Sequence, residues 1–68
     1  MRYLLKSDVA EMILDKYKNS YLVKELNLCE SYVSLILHRK KSVTKRTAND
    51  IRKLIDTNAE ITDMFDIN

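Results

Sequence analysis

The sequence predicts an all-α fold, a compact bundle of four to five short helices in a single domain over residues 1–68. Three observations carry that expectation. The chain has neither glycine nor proline, so the tight hairpin turns that join antiparallel strands lack their usual residues. Leu, Lys, Glu and Met, which form helices readily, are plentiful. Apolar residues also recur at three- and four-residue spacing in several separate segments, the period of a helix that buries one face.

Ser7 precedes Val9, Ala10, Ile13, Leu14 and Tyr17 and predicts an N-cap, with Asp8 and Glu11 well placed against the positive end of a helix from about Asp8 to Tyr17. Lys18, Asn19 and Ser20 form a polar break. Leu22, Val23 and Leu26 then make an apolar stripe on a short second helix from Ser20 to Leu26. Asn27 follows, and after glycine it best tolerates a left-handed turn at a helix end. Leu28, apolar inside that turn, is placed to plug the gap between helices. Cys29, Glu30 and Ser31 open a third helix whose inward stripe is Val33, Ile36 and Leu37. His38 to Ser42 is a basic polar loop. Thr44 predicts the cap of a fourth helix with Thr47, Ala48, Ile51, Leu54 and Ile55 on its inner side, and Asn58 that of a short fifth carrying Ile61, Met64 and Phe65. The expected core is Val9, Ile13, Leu14, Leu22, Val23, Leu26, Val33, Ile36, Ile51, Leu54 and Ile55. Tyr3, Tyr17 and Tyr21 are expected as partly buried helix-packing residues rather than platforms for stacked bases.

A domain of this size buries little surface, so tight helix packing or dimerisation must supply its stability. One cysteine, Cys29, cannot close an internal disulfide, and with His38 it makes too few ligands for a protein-only zinc site. No metal, cofactor or small-molecule ligand is expected. No serine, cysteine or histidine has the companions that nucleophilic catalysis needs, so enzyme activity is not expected. No apolar run approaches the ~18–20 residues of a membrane span, and the segment from Met1 to Lys6 is too short and charged for a secretory signal. A cytoplasmic location without membrane contact is expected, in keeping with an unpaired thiol.

The net charge of +2 conceals a polarised chain. Residues 1–30 carry five bases and five acids. Residues 31–55 carry seven bases (Arg39, Lys40, Lys41, Lys45, Arg46, Arg52, Lys53) against one acid, Asp50. Residues 56–68 carry four acids (Asp56, Glu60, Asp63, Asp66) and no base. A basic middle is the footprint expected for a polyanion ligand, with the acidic tail turned away from it.

The second and third helices stand about three residues apart, and their apolar positions let them cross steeply around Leu28. Glu30, Ser31, Ser34 and Leu35 then point outward from a helix whose diameter fits the DNA major groove. In this respect the sequence resembles the Cro/repressor-like helix-turn-helix family of phage and bacterial regulators (lambda-repressor-like, XRE-type) over roughly Val9 to Ile55. Leu22 and Val23 stand at the family's Leu-Ala pair, and Leu26, Asn27 and Leu28 at its Leu-Gly-Val turn. Ser31 to Leu37 stands at the recognition helix, and Lys40 to Thr44 matches the basic loop before the fourth helix.

The resemblance implies a helix-turn-helix over about residues 19–38 in a sequence-specific regulator of transcription that binds double-stranded DNA. It implies a homodimer on a pseudo-palindromic operator, with half-sites about one helical turn apart. It also implies that Glu30, Ser31, Ser34 and Leu35 face bases, that Asn19 contacts phosphate, and that Tyr32 flanks the backbone. His38, Arg39, Lys40 and Lys41, joined by Lys45 and Arg46, fall in the loop that straddles phosphates. Three residues depart from the family pattern, and the first, Asn27, replaces the common turn glycine, which is physically acceptable. Glu30 stands where a neutral or basic reader is usual; it can accept from a cytosine amino group but repels phosphate. Leu35 can only pack on a thymine methyl. Most of the affinity is therefore assigned to lysine and arginine on phosphates and should fall with salt.

In the tail over 56–68, Ile61, Met64 and Phe65 either form a dimer contact or cap the monomer's own core, and both readings stay open. A rival function also remains: a protein-binding module on the same scaffold, such as an antirepressor, an antitoxin half or an inhibitor of a host protein. The acidic and apolar pair Glu30 and Leu35 suits a protein partner, whereas the basic block from Arg39 to Arg46 suits DNA.

Overall fold

The computed structural model describes residues 1–67. Its elements are β1 (Tyr3–Leu5), α1 (Ser7–Lys16), α2 (Asn19–Leu26), α3 (Glu30–Leu37), α4 (Lys45–Ile55), α5 (Ile61–Met64) and β2 (Phe65–Ile67). The fold is thus mostly helical, and the all-α expectation is corrected by a two-stranded antiparallel sheet. Tyr3 lies opposite Ile67, Leu4 opposite Asp66, and Leu5 opposite Phe65. Lack of glycine and proline argues against hairpins, but all five helices intervene between these strands and no hairpin is needed. On its other edge β1 bridges the segment entering α4, where Tyr3 and Val43 exchange N–H···O bonds of 2.9 and 2.8 Å.

Sheet pairing also resets the first helix. The N-cap position belongs to Lys6, in extended backbone without a side-chain cap, and Ser7 is already helical. The Lys6 N–H donates to the Met64 carbonyl at 2.9 Å, so the extended backbone ends at Lys6 and the helix starts one residue earlier than Ser7 as cap would give. At the end of α2, Asn27 adopts the expected left-handed conformation, φ 55° and ψ 44°. Thr44 caps α4, its Oγ1 accepting from the Thr47 N–H at 3.5 Å.

The cap of α5 is Glu60 rather than Asn58. The Asp63 carboxylate accepts from the Glu60 N–H at 3.1 Å. Asn58 is used differently, its N–H donating to Asp56 Oδ1 at 3.0 Å in an Asx-type turn. Arg52 secures the connection between α4 and α5, with Nη1 donating to the Thr57 and Ala59 carbonyls at 3.1 and 2.9 Å. Phe65, expected on the fifth helix, belongs to β2.

Ile13, Leu22, Val33, Ile36 and Ile51 are buried as expected, with Val9, Val23, Leu26, Leu54 and Ile55 packed around them partly exposed. Leu14 is not core. It lies at the flank of the α1 stripe and is 41% exposed, while Ala10 and Ile13 fill the inward face. The sheet and its neighbours add Tyr3, Leu5, Val43, Met64 and Phe65 to the core. Tyr3 is therefore a strand residue, wholly buried, rather than a helix-packing one. The cross-strand neighbours Leu5 and Phe65, each 1% exposed, are the largest fully buried side chains beside Ile13 and Val33. A cavity of about 10 Å³ between Leu5, Ile13, Leu22 and Val33 holds at most one water.

Of the two readings of the tail, this packing gives Met64 and Phe65 to the chain's own core. Met64 and Phe65 face inward, and Ile61 packs partly buried against the same cluster. Their apolar area covers the chain's own core. Among the described residues, no helix is long and apolar enough to cross a membrane.

The Phe65→Ala exchange should lower unfolding free energy by about 3–5 kcal/mol, the usual cost of emptying a phenylalanine site in a core. Leu14→Ala should stay within about 0.5 kcal/mol, as an exposed helix position allows. Urea unfolding followed by far-ultraviolet circular dichroism measures both.

Candidate nucleic-acid interface

Helices α2 and α3 pack together across the turn formed by Asn27, Leu28 and Cys29. The turn is possible without glycine because a short polar asparagine side chain tolerates positive φ. It is closed by a 3.3 Å bond from the Leu28 N–H to the Val23 carbonyl. Leu28 is half-buried against the core, which fits its expected role as a plug. Val33, Ile36 and Leu37 anchor the inner side of α3. Glu30, Ser31 and Leu35 are exposed on the other side, with Ser34 partly so. The structure therefore brings the four predicted base-facing residues onto one outward surface. Asn19 is the first residue of α2 and is partly buried. Cys29 occupies the N-cap position of α3, exposed and without a side-chain capping bond.

Beyond α3 the chain turns sharply at Arg39. The Arg39 N–H donates to the Ile36 carbonyl at 3.1 Å, and the Lys40 N–H to the Leu35 carbonyl at 2.9 Å. These are the two bonds of a Schellman motif, whose left-handed position usually holds glycine. Here it holds Arg39, at φ 58°, a conformation costing an L-residue about 1–2 kcal/mol. The side chain offsets part of that cost: Nε donates to the Leu5 carbonyl at 2.9 Å, and Nη2 lies 3.9 Å from the Asp66 carboxylate. Arg39 therefore ties the end of α3 to β1 and β2. Its side chain remains 39% exposed, so the donors not used by Leu5 are still open to the phosphate contact that the resemblance implies.

The remaining predicted cations, His38, Lys40, Lys41, Lys45 and Arg46, are all exposed. Lys41 Nζ sits 5.4 Å from the centroid of the Tyr32 ring, a cation–π contact that lays the loop back along α3. The Tyr32 ring is partly buried against the core. The residue missed by sequence reading is Arg2. From the chain's N-terminal end it reaches the same loop, with Nε 3.2 Å from Ser42 Oγ and Nη2 2.7 Å from the Ser42 carbonyl. No local pattern marks it, because its partner lies 40 residues away.

The charge segregation of the sequence persists along α4 but not at the sheet, where Asp66 of the acidic tail lies 3.9 Å from Arg39. Lys45 begins α4 and Asp56 follows its last residue, and a helix of that length separates its ends by roughly 16 Å. Among the described residues, no group of three or more His, Cys, Asp or Glu side chains is arranged to hold a metal ion. Compared with family models, curated proteins and solved structures, the chain matches none.

Two exchanges at Arg39 separate its backbone and side-chain effects. Arg39→Ala removes the bond to Leu5 and retains the left-handed strain, whereas Arg39→Gly removes both. The glycine variant should be more stable than the alanine variant by about 1 kcal/mol, read as the difference in urea midpoints at equal slope.

Proposed function

We propose that α2, its turn and α3 are a DNA-binding helix-turn-helix, and that the protein is a sequence-specific regulator of transcription acting as a homodimer. The observation that carries this reading is the loop after α3. It is pinned to β1 through Val43 and Arg39, yet presents Lys40 and Lys41 to solvent directly behind the exposed face of α3, with Lys45 and Arg46 following. A pinned loop places its charges before the ligand arrives, so little ordering entropy is lost on binding. In this reading α3 lies in the major groove, Ser31 and Ser34 donate or accept at base edges, and Leu35 packs on a thymine methyl. The cationic loop supplies most of the affinity by displacing counterions from phosphates. With Met64 and Phe65 internal, the parts of the tail left for a second copy are Ile67, 44% exposed, and the outer side of Ile61.

A second reading is favoured by Glu30 and Leu35. Leu35 is 38% exposed and Glu30 is exposed on the same helix, and acidic and apolar residues together suit a protein partner better than phosphate.

The double exchange Lys40→Ala/Lys41→Ala discriminates between them. On the DNA reading, duplex affinity falls for every sequence, and the slope of log K against log salt drops by about two. On the protein-partner reading, binding of the partner at Glu30 and Leu35 is largely indifferent to this exchange, and duplex affinity that does not respond to salt between 50 and 200 mM, about the range over which phosphate-dependent binding collapses, rules out the DNA reading. Fluorescence anisotropy with labelled duplexes gives both quantities.

A further inference from the structure

We infer that Arg2 is a phosphate-contacting residue of this interface, carried to the α3–α4 loop by the N-terminal strand. The inference rests on the DNA reading above. Arg2 directly precedes β1, and β1 is held on both edges, by Val43 on one side and β2 on the other. Its guanidinium is consequently fixed beside Ser42, with bonds of 3.2 and 2.7 Å to the side chain and carbonyl of that residue. Those two bonds use two of the five N–H donors that an arginine carries, leaving three for an external acceptor.

Its charge is also uncompensated. The one ion pair among the described residues joins Arg39 to Asp66, and Arg2 is exposed. A planar, charged fork with free donors, immobilised next to Lys41, matches the geometry of a phosphate group. Arg39, which lies within the basic run of the sequence, reaches across to hold the sheet while its side chain stays 39% exposed. Arg2, distant in sequence, takes a place on the loop.

A purely structural role for Arg2, holding Ser42 in place, makes a different prediction, because a neutral donor can serve it. The test is Arg2→Gln, which retains amide donors for Ser42 and removes the charge. It is measured by anisotropy on a duplex selected by the wild-type chain from a random pool. If Arg2 meets phosphate, the slope of log K against log salt falls by about one. The affinity deficit relative to wild type then shrinks about threefold between 50 and 200 mM salt. Arg2→Lys and Ser42→Ala keep the charge and should keep the wild-type slope. Arg2→Ala repeats the loss of charge without an amide, and thermal unfolding of each variant checks the fold. A wild-type slope in Arg2→Gln and Arg2→Ala overturns the inference even if affinity falls, since Arg2 then only braces the loop. Duplex binding by the wild type that does not respond to salt overturns the DNA reading itself, and the role of Arg2 with it.

Discussion

Pairing of β1 on both edges is the constraint on which the rest of this structure depends. Three residues, Tyr3, Leu4 and Leu5, join the two ends of the described chain and the loop that follows α3. A three-residue strand has little stability alone. Here its side chains supply the missing energy, because Tyr3 and Leu5 are both buried and Leu5 meets Phe65 in the core. Strand and core are therefore interdependent: the helices provide the apolar surface, and the sheet covers it. A small domain whose single cysteine cannot close an internal disulfide needs such closure to exclude water from its core.

The same strand determines what the surface presents. The Leu5 carbonyl receives Arg39, Tyr3 holds Val43, and Arg2 reaches Ser42. These contacts fix the α3–α4 loop at three separate points, and its exposed cations inherit that order. The left-handed backbone at Arg39 fits this arrangement. Glycine would form the turn with less strain, but it could not link α3 to the sheet. Strain is accepted where the turn residue also makes a tertiary contact.

Local chemistry made much of the fold legible in the sequence. The helical periods placed α1 to α4 within a residue or two, Asn27 marked the left-handed end of α2, and Thr44 marked the start of α4. The outward face of α3 followed from the same period. What escaped was non-local. Three-residue strands are too short to show alternation, and their pairing joins residues at least 60 apart, from Leu5 with Phe65 to Tyr3 with Ile67. Missing β1 concealed the burial of Tyr3 and Leu5, the reach of Arg39 to the sheet and the position of Arg2. Leu14 failed for a simpler reason: a five-residue apolar stripe is wider than the face that a ten-residue helix buries here.

The proposed DNA reading makes α3 and the strand-braced loop behind it one surface for duplex DNA. It is tested most directly by selecting duplexes from a random pool and titrating the winner into the isotopically labelled full chain, following backbone amides by NMR. On that reading a defined site is enriched and shifts concentrate in residues 30–35, 38–46 and at Arg2, with residues 56–64 unmoved. No enriched duplex, or shifts centred on residues 56–64 instead, would contradict it.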